Sequence, residues 1–236
     1  MLTVLYQDEH LVAIDKPSGW LVHRSDIDRH ETRIVVQALR NQMGGRHVYP
    51  VHRLDKGTSG VLLFAFSPDI VRSLGNQFSG ASVRKFYRAV VRGWPAEQGS
   101  IDHPLVRDHD DYGRTLTTRE AQSAITHFQR LATVELPIAV DRYPSSRYAL
   151  VELRPETGRR HQLRRHMKHI AHPIIGDATH GKGVHNRFFQ EQFDCHRLLL
   201  ACTRLEFAHP VGAQPMNIAT APGDQFARVT ETLGWR

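Results

Sequence analysis

The stretch HRLDKGTSGVLLFA, residues 52–65, begins as a polar turn and ends as an unbroken apolar run. A short apolar run that follows Gly and Ser predicts a buried strand. Asp55 lies on the turn between Arg53 and Lys56, and neighbouring cations favour the ionised form of a carboxylate. An ionised carboxylate can act as a nucleophile or a base. The alternative interpretation is an Asp that caps the turn by accepting backbone N–H groups.

The composition is that of a basic globular chain. Its 236 residues include 31 Lys plus Arg, 24 Asp plus Glu and 16 His, and the pI is near 9.8. A pI above about 9 is typical of proteins that bind nucleic acids. A basic chain also suits anionic membranes or acidic proteins, so charge alone does not decide the partner.

The chain shows no sign of membrane insertion or export. Its apolar runs fall short of the roughly 20 residues that a membrane helix needs. The first residues, MLTVLYQDEH, carry acids and lack the basic segment of a signal peptide. Two Cys do not imply a disulfide framework. We therefore expect a cytoplasmic protein.

Periodicity predicts an α+β protein with a mostly antiparallel sheet. Alternation and apolar runs predict strands in residues 3–6, 11–15, 60–66, 85–93, 123–136, 145–155 and 196–207. Spacings of three and four predict helices in residues 32–43, 158–170, 222–235 and a segment after Asp69. Asp69 and Thr157 are the predicted caps of two of these helices. The polar range Asp108–Gln122 is expected to be a surface loop with a contact role.

The block TGRRHQLRRHMKH, residues 157–169, concentrates positive charge on one predicted helix. We expect Gly158 to open this helix, and helix N-termini attract phosphate. Arg164 follows the inward-facing Leu163, so its stem should be partly buried and should require a carboxylate partner, for which Asp55 is a candidate. The alternative interpretation is a solvated basic face.

Two weaker patterns occur elsewhere in the chain. KFYRAVVRGW, residues 85–94, interleaves aromatic side chains with cations, which suits unpaired or flipped bases, although aromatic residues on a strand are more often core. Cys195 and Cys202, with His196 and His209 nearby, lack the spacing of structural zinc ligands. We expect no metal site.

Four stretches occur together and in a fixed order: DKPSGWLVH (15–23), HRLDKGTSGVLLFA (52–65), KFYRAVVRG (85–93) and TGRRHQLRRHMKHIAHPIIGD (157–177). With them the chain resembles the RluA-type family of RNA pseudouridine synthases along nearly its whole length. The resemblance implies the pseudouridine synthase fold, in which helices and loops flank a long, mixed, mostly antiparallel sheet with a central RNA-binding cleft. It also implies a single catalytic domain over residues 1–236, without an S4-like extension at the N-terminus.

The resemblance assigns three catalytic residues. Asp55 corresponds to the catalytic Asp of the family's HRLD motif, Tyr87 to the active-site Tyr of KFY, and Arg164 to the Arg of HQLR that pairs with the catalytic Asp. A flipped-out uridine would lose its N1 glycosidic bond, rotate and rejoin through C5. The carboxylate can attack the ribose or assist loss of its 2′-proton, and both routes stay open.

The resemblance also implies four substrate contacts. Leu163 would pack against the target base, and Arg53 would occupy the space that the flipped base leaves. His52 and Arg160, from the same two motifs, are expected to contact the RNA as well. The reaction transfers no group or electron, so no cofactor is expected.

Residues 132–153 and the Gly-Trp pair at 234–235 look most like the family members that modify uridine 65 in the T stem of tRNA. We therefore expect a tRNA substrate, a monomer without an obligate protein partner, and no membrane contact. The alternatives are a ribosomal RNA substrate and a catalytically silent RNA-binding module. A glycoside hydrolase would usually need a second carboxylate, for which Glu152 and Glu206 are poorly placed on strands.

Overall fold

The computed structural model describes residues 1–24, 30–106 and 120–235. The described strands are β1 (Thr3–Gln7), β2 (Leu11–Lys16), β3 (Tyr49–Pro50), β4 (Ser59–Ala65), β5 (Arg84–Arg92), β6 (Gln98–Asp102), β7 (Leu105–Val106), β8 (Ala121–Gln122), β9 (Ile125–Leu136), β10 (Ser146–Pro155), β11 (Leu200–Ala208) and β12 (Pro215–Ala219). The described helices are α1 (Val35–Gln42), α2 (Pro68–Ser79), α3 (Gln162–His169), α4 (Gly183–Phe193) and α5 (Asp224–Thr232).

The chain divides into two compact units. The first unit comprises Met1–Lys85, Val106–Ala121 and Cys202–Ala221. The second unit comprises Phe86–Leu105, Gln122–Ala201 and Pro222–Arg236. Strands β5 and β11 each contain residues of both units, and the expectation of a single catalytic domain stays a prediction.

The first unit is built on an antiparallel sheet. β1 and β2 form the predicted hairpin, and β2 continues the sheet by pairing with β4 from Leu11 opposite Ala65 to Lys16 opposite Gly60. Every residue of β4 is buried, as the apolar run in residues 60–66 predicts. Gly60 has a positive φ of 108°, and a Cβ at this position would lie 2.0 Å from the carbonyl oxygen of Cys202. Glycine therefore allows the backbone of β11 to approach β4 closely.

The second unit is built on a second run of antiparallel pairings. β10 pairs with β5 on one side and with β9 on the other, and β9 also pairs with β6. Helices α4 and α5 pack on a buried cluster to which they contribute Phe188, Phe189, Phe226 and Val229. Fully burying side chains of this size contributes about 1.5–3 kcal/mol each. The inward positions predicted for the closing helix are confirmed, because Phe226, Val229 and Leu233 are buried.

The α+β class with mostly antiparallel pairing is confirmed, and each predicted strand is found with its ends shifted by a few residues. Helix α4 and strands β3, β6, β7, β8 and β12 were not predicted. Most of the range Asp108–Gln122 lies outside the described residues, and its last two residues form β8. None of the helices in the described part of the chain is long and apolar enough to cross a membrane.

The predicted cap of α2 was wrong. Ser67 is the N-cap and accepts a hydrogen bond from the backbone N–H of Ile70 at 3.4 Å, while Pro68 occupies the first helical turn. Proline fits this position because its fixed φ suits a helix start and it has no N–H to satisfy. Asp69 instead forms a surface ion pair with Arg72 at 3.1 Å.

The predicted start of α3 was also wrong. The helix begins at Gln162 rather than Gly158, because His161 has a left-handed backbone with φ of 54°. Thr157 does not cap the helix; its hydroxyl donates to Oε1 of Gln162 at 2.8 Å. Arg159 and the residue after it therefore lie on the segment that leads into the helix.

Candidate active site

The turn that carries Asp55 is closed by its own backbone. The N–H of Thr58 donates to the carbonyl oxygen of Asp55 at 3.0 Å, which is the hydrogen bond of a β-turn. Leu54 is buried and anchors the turn to the first unit, whereas Asp55 is half-buried and Arg53 is exposed. The chain thus holds a carboxylate at the surface on a fixed backbone.

A buried lysine ties this turn to the first motif. The side chain of Lys16 has an exposed fraction of 0%. Its ammonium donates to the carbonyl oxygens of Pro17 at 3.0 Å, Lys56 at 3.1 Å and Thr58 at 2.8 Å. Three carbonyl acceptors match the three N–H groups of an ammonium, so each donor of the buried charge has a backbone acceptor within reach.

The residues after Lys16 add two further bonds to the same turn. The backbone N–H of Gly19 donates to the carbonyl oxygen of Lys56 at 2.8 Å. The hydroxyl of Ser18 donates to the carbonyl oxygen of Gly57 at 2.7 Å. The carbonyls of three consecutive residues after Asp55 are therefore held by the DKPSG segment. The sequence marks residues 15–19 as part of a motif but does not predict that they hold this turn.

Replacing Lys16 with Met is expected to destabilise the protein by about 2–5 kcal/mol, because hydrogen bonds to a charged donor contribute roughly 1.5–3 kcal/mol each and buried carbonyls lose their partner. Urea denaturation of the variant and the wild type measures the difference. Ser18→Ala, which removes one neutral hydrogen bond from the same turn, is the control and should cost about 1 kcal/mol. Equal stability of Lys16→Met and the wild type would contradict this account of the turn.

His52, at the start of the turn, is held by protein groups. Its Nε2 accepts a hydrogen bond from the backbone N–H of Leu63 at 3.2 Å, and its ring stacks on Phe78 with centroids 4.9 Å apart. Burial of the ring, together with the nearby charge of Lys85, lowers the pKa of His52 to about 3. The imidazole is therefore neutral near pH 7 and links the turn to β4, while its expected contact with RNA stays a prediction.

In the second unit, Tyr87 lies on β5 opposite Leu153 of β10. Successive residues of a strand face opposite sides of the sheet, yet Phe86 and Tyr87 are both buried. The sheet is thus covered on both faces at this point, and only a small part of the Tyr87 ring is exposed. The interpretation of these aromatics as core residues agrees with their burial, and the role of Tyr87 in the reaction stays a prediction.

Arg164 binds a carboxylate that was not predicted from the sequence. Its Nε donates to Oδ2 of Asp177 at 2.7 Å and its Nη2 donates to Oδ1 at 2.8 Å. The two side chains are 10% and 0% exposed. The prediction that Arg164 is buried and bound to a carboxylate is confirmed, with Asp177 as a carboxylate that binds it. The pairing with Asp55 stays a prediction, since Asp55 belongs to the other unit.

The Asp177 carboxylate is stabilised in its ionised form. Burial alone would raise the pKa of Asp177, but the Arg164 guanidinium and the backbone N–H groups of His180 and Thr179 outweigh it, so the pKa is lowered. Both N–H groups donate to Oδ1 at 2.9 Å. The Asp177 carboxylate is ionised and is held by two backbone N–H groups. An ionised carboxylate is a strong acceptor for two parallel hydrogen bonds from one guanidinium.

The rest of α3 is attached to β9 by a chain of buried hydrogen bonds. Nε2 of Gln162 donates to the hydroxyl oxygen of Thr126 at 3.0 Å, and the Thr126 hydroxyl lies 3.0 Å from Nδ1 of His166. Nε2 of His166 lies 3.0 Å from the carbonyl oxygen of His103. Because a carbonyl only accepts, His166 donates from Nε2, and in its neutral form the ring accepts at Nδ1 from the Thr126 hydroxyl. Burial lowers the pKa of His166 accordingly.

The two predicted substrate contacts of this unit differ in exposure. Leu163 is buried beside Arg164 on the first turn of α3, whereas Arg160 is exposed on the segment before the helix. Arg159 and Lys168 are also exposed, and Arg165 is half-buried. The exposed cations form a basic surface around a helix whose inner side is fully packed.

Stability should depend on pH because several histidines are buried in neutral form. Burial, with the charge of Arg92 as the next cause, lowers the pKa of His185 to about 4, and the pKa of His52 is about 3. In the unfolded chain both return to about 6.5. Below that value the unfolded state binds more protons than the folded state, so the free energy of unfolding decreases as the pH falls.

We expect a loss of roughly 2–4 kcal/mol between about pH 7 and pH 5 from these two side chains. Urea denaturation at the two pH values measures it. His185→Gln should reduce the pH dependence, whereas His196→Gln, at an exposed position, should leave it unchanged. A free energy of unfolding that is constant over this range would show that these imidazoles are not held neutral.

The family model described as RNA pseudouridylate synthase matches residues 10–169. This chain belongs to the RNA pseudouridylate synthase family. The match contains the first three motif stretches in full and residues 157–169 of the fourth, so the resemblance inferred from the motifs is confirmed.

Similar members of this family include tRNA pseudouridine synthase C of Pectobacterium carotovorum, which is 49% identical over all of this chain. The chain spans 63% of that relative's length. The tRNA pseudouridine synthase C of Vibrio cholerae is 48% identical over all of this chain and 97% of the relative.

Two solved human structures share the fold. Human RNA pseudouridylate synthase domain containing 4 matches with a TM-score of 0.74 and 25% identity, over 98% of this chain and 93% of that one. Human RNA pseudouridylate synthase domain containing 1 matches with a TM-score of 0.70 over 94% of this chain and 83% of that one. The expected pseudouridine synthase fold is confirmed.

Proposed function

We propose that this protein converts a uridine of tRNA into pseudouridine and that Asp55 is its catalytic carboxylate. The observation that carries the proposal is the 48% identity, over the whole chain, to a Vibrio cholerae protein named for this activity on tRNA. The fixed turn at Asp55 supports it, because a catalytic group must be held in place by its surroundings.

In the proposed reaction the uracil base detaches from its ribose at N1 and bonds to the same ribose again through C5. The uridine is flipped out of the RNA, and the Asp55 carboxylate attacks the ribose or assists loss of the 2′-proton. The N1–C1′ bond breaks, the uracil rotates, and C5 bonds to C1′ as Asp55 leaves the ribose or returns the 2′-proton. C5 then releases its proton to solvent and N1 takes up a proton, so the product is an isomer of uridine. Tyr87 stacks on the uracil and exchanges protons near C5, and Arg164 keeps Asp55 oriented. This isomerisation transfers no group or electron to another molecule, so we propose that it uses no cofactor.

Four side chains are proposed as contacts to the RNA. Leu163 packs against the target base and Arg53 fills the space that the base leaves. Arg160 binds the RNA backbone. His52 contacts the RNA through the part of its ring that Leu63 does not occupy, in addition to the hydrogen bond that it makes to β4.

The exposed cations near α3 support a substrate with a regular phosphate backbone. Arg159 and Arg160 precede the helix and Lys168 lies on its last turn, all exposed. Flipping a base out of a stem costs a few kcal/mol, and phosphate contacts can offset that cost. Binding should weaken steeply with salt, since each contacted phosphate releases counterions.

The finer assignments are also proposals. The target is uridine 65 in the T stem. The support for this position is that residues 132–153 and 234–235 resemble the family members that modify it. The protein acts in the cytoplasm as a monomer without an obligate protein partner, and residues 1–236 act as a single catalytic domain.

The test is to map pseudouridine by carbodiimide-stop sequencing in cells with and without the gene. Loss of one T-stem site in tRNA is the expected result, and a plasmid copy of the wild type should restore it. Loss of sites in ribosomal RNA alone would overturn the tRNA assignment. An unchanged pseudouridine map would contradict enzymatic activity and favour a silent RNA-binding module.

A further inference from the structure

We propose that Asp177 is a positioning residue, which fixes the direction in which the Arg164 guanidinium presents its remaining N–H groups. The proposal rests on the proposed function for the role of Arg164 in the reaction. Its structural basis lies within the second unit. Two parallel hydrogen bonds, Nε to Oδ2 at 2.7 Å and Nη2 to Oδ1 at 2.8 Å, define the plane of the guanidinium.

Asp177 is itself held in one orientation. Its Oδ1 accepts from the N–H groups of Thr179 and His180, both at 2.9 Å, so the carboxylate cannot rotate without breaking them. Its carbonyl oxygen accepts from the N–H of Gly181 at 3.0 Å. A Cβ at Gly176, directly before it, would lie 1.9 Å from the carbonyl oxygen of Arg197. The backbone around Asp177 therefore has little room to move.

This anchorage has a consequence for Arg164. A guanidinium carries five N–H donors in a rigid plane, and two of them are committed to Asp177. The directions of the other three are then set by Asp177 and not by the flexible stem, which otherwise carries about 2 kcal/mol of rotamer entropy.

A purely structural role would be simpler, since any buried ion pair affects stability when one partner is removed. The two roles predict different kinetics. A structural partner changes the amount of folded protein, and the folded fraction keeps its turnover. A positioning residue changes the turnover of folded protein, because misplacement of a group by about 1 Å can cost 100-fold in rate.

The experiment compares Asp177→Asn with Asp141→Asn, which makes the same chemical change at an ion pair with Lys182 in the same unit. Both are assayed with tRNA at a temperature where circular dichroism shows them folded. Asp177→Asn should lower kcat about 100-fold, and KM should stay within about threefold of the wild type. Asp141→Asn should keep kcat within about threefold. Equal kcat values for Asp177→Asn and the wild type would overturn the proposal.

A second readout does not depend on activity. In the wild type and Asp141→Asn, the Arg164 Nε–H should give a ¹⁵N NMR signal that exchanges slowly with water, and Asp177→Asn should lose this protection. Equally fast exchange in the wild type and Asp177→Asn would overturn the proposal. If the wild type forms no pseudouridine in any RNA, the proposed function fails, while the NMR comparison still decides whether Asp177 fixes Arg164.

Discussion

Asp55→Asn is expected to abolish pseudouridine formation and to leave the folded structure intact. Asparagine has nearly the shape of aspartate, but it cannot attack the ribose or accept its proton. Removing a positioned base or nucleophile typically costs about 10²–10⁴-fold in rate. The fold should persist because Lys16, Ser18 and Gly19 hold this turn through backbone carbonyls, which the substitution keeps.

The measurement is the rate of pseudouridine formation in tRNA, with the dissociation constant for tRNA and the urea midpoint measured on the same preparations. Asp69→Asn is the matched control, because Asp69 is a surface residue of the same unit, paired only weakly with Arg72. It should behave as the wild type in all three assays. Turnover of Asp55→Asn above a trace would remove Asp55 from the catalytic role.

Arg164→Met should reduce both stability and activity. The substitution leaves the Asp177 carboxylate, 0% exposed, without the guanidinium that compensates its charge. Removing one partner of a buried ion pair costs about 3–5 kcal/mol. Activity should fall for an independent reason, since the donors proposed to orient Asp55 are removed with the guanidinium.

Urea denaturation measures the stability change. Arg154→Met is the control, because Arg154 is largely exposed, 3.8 Å from Glu152, and exposed pairs contribute about 0–1 kcal/mol. The double variant Arg164→Met with Asp177→Asn should be more stable than the sum of the single effects, since the two residues are in contact. Strict additivity, or a loss below about 1 kcal/mol for Arg164→Met, would contradict the buried pair.

The parts of the fold that could be predicted are those with a strong local pattern. Strand β4 follows from an unbroken apolar run, and all of its residues are buried. The face of α5 follows from the spacing of Phe226, Val229 and Leu233. Helix α4 gives no comparable signal, because it begins at Gly183 without a side-chain cap. It forms because Phe188 and its neighbour pack into the core of the second unit.

The parts of the site that were missed depend on residues far apart in sequence. Lys16 binds carbonyls about 40 residues away, and a lysine is rarely buried, so nothing local marks it as structural. Asp177 lies 13 residues beyond Arg164, after the helix has ended. The backbone of His161 is left-handed, a conformation that costs a non-glycine residue free energy and is held by surrounding structure.

The candidate site residues could be predicted because they lie in motif stretches of the family. Their spacing in the sequence does not indicate that they lie together in the structure. Asp55, Tyr87 and Arg164 are separated by long segments, and their grouping follows from the resemblance to the family. Charge had indicated an RNA partner but could not distinguish it from a membrane or an acidic protein. The family match over residues 10–169 makes that distinction.

The central claim is that the protein moves a glycosidic bond from N1 to C5 of a tRNA uridine by means of Asp55. The most direct measurement incubates the wild type with tRNA that carries tritium at C5 of its uridines. The account predicts release of one tritium into water for each pseudouridine formed, with the RNA chain intact, and no release by Asp55→Asn. Release of free uracil would indicate hydrolysis, and tRNA binding without tritium release would indicate a silent binding module; either result would contradict the account.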